Sequence, residues 1–374
     1  MKNTLLLRAL RAFSRGAKPT HGRISAGGIG ATIERALSAA GLSQRSDASR
    51  ADRVVAHLLP REPQAEPENR SPSSAPTPHP HSGEFLSRSF TARAGTRGYK
   101  LYVPSGYRAD SAAQTPLVVM LHGCTQSADD FAAGTGMNAL AEQQGFIVAY
   151  PEQAGDANPS RCWNWFRPGD QQRDAGEPSL IAGITREIAA AYRVDPRRIY
   201  VAGLSAGAAM AVVLAATYPE LYAAVGAHSG LPYGSAHDIP SAFGAMKNGG
   251  ARASARAGAN AGPAAQAVPT IVFHGDNDGT VTSRNSKAIV DQVVGAHHGE
   301  AVLVPSSHDG VTAGRRYVRT VYAAGGGSHP RVEHWTIRGG GHAWSGGSSS
   351  GSYADPQGPN ASAEMIRFFY THAR

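Results

Sequence analysis

The residues best suited to chemistry are Gly203-Leu204-Ser205-Ala206-Gly207, a GxSxG pentapeptide. An apolar β run, RRIYVAG (197–203), precedes it, and a small-residue helical stretch follows at 206–217. A serine on such a strand-to-helix turn adopts strained backbone angles that push its Oγ clear of the sheet, and glycines flank it because side chains there would collide. The following helix aims free N–H groups at developing negative charge. That makes Ser205 a candidate nucleophile; the alternative is a glycine-rich turn capped by a serine.

A serine hydroxyl needs a base, and the base needs an orienting acid. With this turn both belong on later loops, in the order serine, acid, histidine. PTIVFHG (269–275) runs into Asp276-Asn277-Asp278-Gly279, where two carboxylates compete. Asp278 is favoured because the acid lies a few residues beyond the strand end; the other carboxylate then caps the turn. VEHWTIRG (332–339) leads to Gly340-Gly341-His342-Ala343-Trp344. His342, on a glycine-rich loop after the final large strand, is the candidate base; the alternative is a loop histidine packed on Trp344. His297, His298, His308 and His329 fall in helix ends or insertions, and His334 lies inside a strand.

The anion formed on a carbonyl under attack needs two pre-aimed donors. The Ala206 N–H follows the nucleophile directly, and the Cys124 N–H lies on the loop Leu121-His122-Gly123-Cys124 after the third strand. His122 reads as a structural hydrogen-bonder. Arg161-Cys162-Trp163-Asn164-Trp165-Phe166 gathers aromatics in a chain that is 7% aromatic. Trp163 and Trp165, with Trp344, are expected to wall a substrate pocket; the alternative is that they only pin the loop. No spacing of ligand types calls for a metal, and none suggests a cofactor.

These residues must be positioned by alternating strands and helices. Strands are expected at 86–93, 98–104, 116–123, 145–151, 197–203, 222–230, 269–275 and 332–339, and helices at 128–144, 179–192, 206–217, 284–296 and 360–372. Short Val/Ile runs between helical segments predict an α/β fold, a mostly parallel sheet covered on both faces. The first two strands precede any helix and suit an antiparallel edge. Residues 231–268, rich in Ala, Gly and Arg, read as a cap or insertion.

The chain has 374 residues, 41% hydrophobic, enough for a large core, and a net charge of +8. That charge is uneven: residues 1–100 hold 16 basic and 7 acidic side chains, so the remainder is close to neutral. The body therefore has no electrostatic reason to seek nucleic acid. No apolar run is long enough to span a bilayer. Residues 1–61 form a basic extension with short amphipathic stretches, 62–83 a proline-rich linker, and 84–374 the catalytic body. The extension is a candidate contact to an anionic surface, membrane or polymer granule. Its start lacks the long apolar core and cleavage site of a secretory signal. The two cysteines allow one bridge or two buried thiols, and composition leaves that open.

LHGCTQSADDF, CWNWF, GEPSLIAGITREI, VDPRRIYVAGLSAGAAM and GGGHAWSGG together resemble the poly(3-hydroxybutyrate) depolymerase family of esterases, over roughly residues 85–374. The resemblance implies an α/β-hydrolase fold, related to feruloyl and acetylxylan esterases. It implies a Ser205–His342–Asp278 triad with Cys124 as oxyanion donor, a Cys124–Cys162 disulfide, and an extracellular protein acting on polyester. Absence of a clear secretory signal leaves a cytoplasmic alternative. After the last helix no appended substrate-binding domain is expected, a departure from the polymer-degrading members.

Overall fold

The computed structural model describes residues 83–250, 267–296, 302–325 and 329–374. The expected extension 1–61, nearly all of the linker 62–83, and with them the proposed surface or granule contact, lie outside the described residues.

Ten strands form one sheet. They are β1 (Glu84–Ala92), β2 (Gly95–Val103), β3 (Thr115–Leu121), β4 (Ile147–Pro151), β5 (Val194–Leu204), β6 (Ala224–His228), β7 (Thr270–Gly275), β8 (Leu303–Thr312), β9 (Arg315–Ala324) and β10 (Val332–Ile337). Their spatial order is β1-β2-β4-β3-β5-β6-β7-β10-β9-β8. The six strands from β4 to β10 in that order run parallel. Antiparallel pairs flank them on both sides, β1–β2 at one edge, as expected, and β9–β8 at the other. A separate short pair, β11 (Trp344–Ser345) with β12 (Ala354–Asp355), follows β10.

Seven α-helices are described: α1 (Ala128–Thr135), α2 (Met137–Gln144), α3 (Gly176–Ala191), α4 (Ala206–Thr217), α5 (Ile239–Asn248), α6 (Arg284–Ala296) and α7 (Ala361–Phe369). The strand pleat sends alternate residues to opposite faces. Along β3, Leu117, Val119 and Leu121 enter a core shared with α3 and α4, while Val118 and Met120 enter the one shared with α1, α2 and α7. Both faces are thus covered, which is why the central strands read as unbroken apolar runs.

Three features differ from the expectation. The helix expected over 128–144 is two helices, because Gly136 takes φ 63° and caps one while starting the other. The segment expected only as an insertion contains α5, started by Asp238, whose side chain accepts from the Ser241 N–H at 2.8 Å. The β8–β9 hairpin has no counterpart among the strands expected from sequence. Its two-residue turn puts positive φ at Ala313 (45°) and Gly314 (81°), and most of β8 faces water on both sides. A strand with no buried face carries no apolar alternation to read.

Candidate active site

Ser205 sits between β5 and α4 with φ 58° and ψ −118°, a conformation that favours glycine and costs a non-glycine residue on the order of 1–3 kcal/mol. Its N–H donates to His228 O at 2.9 Å, and its carbonyl starts the helix by accepting from Ala209 N–H. The close packing explains the flanking glycines. A Cβ on Gly203 would strike the Gly207 backbone, and one on Gly207 would strike the carbonyls of Leu121 and His122 at the end of β3. The same crossing brings the β3 loop to the serine, since a Cβ on Gly123 would lie 3.6 Å from the Ser205 Cβ.

The β7 and β10 loops are zipped together by backbone bonds. Asp276 N–H donates to Ile337 O and Asn277 N–H to Gly340 O, each at 3.0 Å. Gly275 and Gly340 approach so closely that a Cβ on Gly275 would overlap the Gly340 carbonyl. This contact places Asp278 Oδ2 2.7 Å from His342 Nδ1. Asp278 Oδ1 accepts from the N–H groups of Thr280 and Val281, both at 2.9 Å, and His274 Nε2 lies 3.3 Å from Oδ2. Burial alone would raise this carboxyl's pKa; hydrogen bonds from His274 and His342 outweigh it and hold the group well below the usual carboxylate range. Asp276 is the other carboxylate, and it caps the turn: it accepts from Gly339 N–H at 2.7 Å and pairs with Arg338 at 3.2 Å.

Ser205 and His342 line one cavity of about 100 Å³ together with Gly123 and Cys124. In the β3 loop Gly123 N–H donates to Gln126 Oε1 and Thr125 N–H to Ser160 O, which commits the amides on either side of Cys124. Ala206 opens α4 next to Ser205. Cys124 and Cys162 are joined by a disulfide, so the aromatic loop is tied to the β3 loop at the cavity wall.

The expected aromatic wall needs correction for two of its three members. Trp165 lines the cavity, accompanied by Phe166. Trp163 is fully buried in the core, 5.7 Å from the His122 ring. Trp344 is also core: it stacks on His228 at 5.2 Å, meets Phe131 edge-on at 5.5 Å, and donates its Nε1–H to Ser362 Oγ. In a regular extended segment residues two apart share a face, but the chain turns at Trp165, so Trp163 enters the core while Trp165 reaches the cavity. The rest of the wall comes from α5, whose Ile239, Ala242, Phe243 and Met246 recur at i, i+3, i+4 and i+7. That helical period was present in the sequence, but was obscured by the Ala/Gly-rich stretch that follows it.

Buried polar groups hold these loops. His122 Nδ1–H donates to Gly123 O at 2.7 Å while its Nε2 accepts from Gln153 N–H at 3.0 Å. Burial lowers its pKa to about 4, so it is neutral near pH 7 and serves as a strut. Gln153 in turn donates to Cys162 O and to Glu177, which also accepts from both Asn164 nitrogens. Next to Phe273 and Trp344, His228 Nε2 accepts from Ser345 N–H at 3.0 Å, and burial pushes its pKa to about 3. Among the described residues no cluster of side chains suits a metal ion.

The family described as esterase PHB depolymerase matches residues 97–299, more than half of the chain. The chain is 38% identical over 246 residues to poly(3-hydroxyalkanoate) depolymerase C of Paucimonas lemoignei, covering 64% of this chain and 57% of that protein. It is 40% identical over 129 residues to feruloyl esterase B of Neurospora crassa, covering 34% and 43% respectively. The chain thus spans about half the length of these curated relatives. Among solved structures, an acetyl xylan esterase from Aspergillus awamori superposes with a TM-score of 0.59 at 21% identity, covering 77% of this chain and 99% of that one. The last likeness is one of fold alone: the sheet and its helices have the α/β-hydrolase fold. By the family match over its central 200 or so residues, the chain belongs to the esterase PHB depolymerase family.

Proposed function

We propose that this protein is a serine esterase that hydrolyses carboxylic esters, with hydroxyalkanoate polyester or its oligomers as substrate. The observation that carries the reading is the 2.7 Å Asp278–His342 bond at a cavity that also holds Ser205 on its strained turn.

In this mechanism Asp278 holds His342 with Nδ1 protonated, leaving Nε2 to take the proton from Ser205 Oγ as it attacks the ester carbonyl. The new C–O bond pushes the carbonyl electron pair onto oxygen, where the N–H groups of Cys124 and Ala206 receive the negative charge. Collapse expels the alcohol, which takes the proton from His342, and leaves an acyl group on Ser205. Water then attacks that acyl group, giving its proton to His342; collapse returns the proton to Ser205 and releases the acid. The apolar faces of Trp165, Phe166 and Phe243 suit an aliphatic ester chain.

The poly(3-hydroxyalkanoate) depolymerase relative supports polyester as the substrate. A second reading, an esterase of feruloylated or acetylated polysaccharide, is supported by the feruloyl esterase relative. The Cys124–Cys162 disulfide favours an oxidising, extracellular compartment for either.

In Ser205→Ala, turnover of p-nitrophenyl butyrate is expected to fall by at least about a thousandfold with the circular dichroism spectrum retained. Turnover near the wild-type rate would remove Ser205 as nucleophile. Clearing of a polyhydroxybutyrate suspension, set against release of ferulate or acetate from arabinoxylan, decides between the two substrates.

A further inference from the structure

One charged side chain on the cavity has no part in this mechanism. Among its described lining residues Lys247 is the only lysine or arginine, at the mouth of an otherwise mainly apolar space. It belongs to the last turn of α5, one position beyond Met246, on the helix that supplies Ile239 and Phe243 to the wall. The side chain is not loose: Nζ donates to Gly279 O at 2.6 Å, fixing the ammonium beside the turn that carries Asp278.

That turn has two carboxylates, and neither pairs with the ammonium. Asp278 is committed to His342, Thr280 and Val281, and Asp276 to Gly339 and Arg338. Among the described residues Lys247 has no carboxylate partner. An ammonium has three N–H donors, of which the Gly279 carbonyl uses one, so the others remain for an anion or water. A cation held by a backbone carbonyl rather than by an internal acid keeps its full charge available to a ligand. Its neighbours Thr280 and His342 line the same cavity.

We propose that Lys247 is a specificity-determining residue that binds the free carboxylate of an anionic ester. The substrate class that fits is a short hydroxyacid oligomer, in which a terminal carboxylate sits a few bonds from an ester carbonyl. Such a chain would lay its aliphatic part against Phe243 and Trp165, its ester at Ser205 and its carboxylate at Lys247. Neutral acetyl or feruloyl sugar esters offer no such anion. The assignment rests on the esterase reading and narrows its substrate.

The test compares the free-acid trimer of 3-hydroxybutyrate with its methyl ester. In the wild type the acid is expected to have a kcat/KM roughly fivefold higher at low salt, through KM, with the preference shrinking at high salt. In Lys247→Met the ratio should fall to about one, and Lys247→Arg should restore most of it. An equal acid-to-ester ratio in wild type and Lys247→Met would overturn the assignment. Binding of the free-acid trimer to Ser205→Ala, with and without Lys247→Met, reads the same contact by calorimetry without turnover. Roughly fivefold weaker binding in the double variant supports Lys247 even if no ester is cleaved, whereas equal binding refutes it. Loss of turnover on every ester would instead count against the esterase reading.

Discussion

At the scale of single residues, two carboxylates separated by one position have different environments. Asp276 answers a backbone amide and a surface arginine, whereas Asp278 is enclosed and meets two imidazoles and two amides. Asp278→Asn is therefore expected to lower kcat for p-nitrophenyl butyrate by about 10³–10⁴-fold, because the amide no longer holds His342 in the needed tautomer. Asp276→Asn should stay within a few-fold of wild type in the same assay. Similar losses in both variants would mean that the turn, rather than the Asp278 carboxylate, matters. His122 and His228 are unlike His342 for a physical reason: each is enclosed and already uses both ring nitrogens on internal partners.

At the scale of elements, the site is a meeting of strand ends. β3, β5, β7 and β10 run parallel, so the loops after them all emerge at one edge of the sheet. The disulfide and the Glu177–Gln153–His122 chain then fix the aromatic loop against the β3 loop. Burial raises the Glu177 pKa, with Asp170 adding to it, against bonds from Gln153 and Asn164. Helix α5 closes the opposite side with an apolar stripe, and this stripe should set acyl-chain preference. Phe243→Ala is expected to lower kcat/KM for a p-nitrophenyl butyrate roughly tenfold, mainly through KM, and to lower that for the octanoate less. A p-nitrophenyl ester series from acetate to octanoate measures this; an unchanged chain-length profile would show that α5 does not touch the acyl group.

At the scale of the whole molecule, burial of neutral histidines couples the fold to pH. Burial lowers the pKa of His122 to about 4, of His228 to about 3 and of His334 to about 4. Unfolded histidine titrates near 6.5, so as pH falls below that value the unfolded chain takes up protons that the folded chain refuses. Each histidine then removes about 1.4 kcal/mol of stability per pH unit until the folded group itself protonates, near pH 4 for His122 and His334 and near pH 3 for His228. Asp278 acts in a lower window: its depressed pKa contributes stability that is full above about pH 4 and is lost as pH falls further. Urea unfolding between pH 7 and 4.5 should show a steepening fall that His334→Gln makes shallower. Constant stability across that range would contradict the neutral-histidine account.

The sequence by itself determined most of the strand and helix order, α5 and the β8–β9 hairpin excepted, together with the turn at Ser205 and the loops that carry Asp278 and His342. These depend on local rules: apolar runs, helical periods and glycines where backbones cross. The Cys124–Cys162 pairing was legible only through family resemblance. The sequence favoured Asp278 over Asp276; the tertiary structure sets Asp278 against His342 and Asp276 against Gly339 and Arg338, because the β7 and β10 loops are zipped across 61 or more residues of chain. It also decided which tryptophans face the cavity. Trp163 and Trp344 are absorbed by cores built from distant elements, while α5, from a stretch that reads as insertion, supplies the wall. Whether an aromatic side chain becomes core or pocket depends on what packs opposite it, and that partner is remote in sequence.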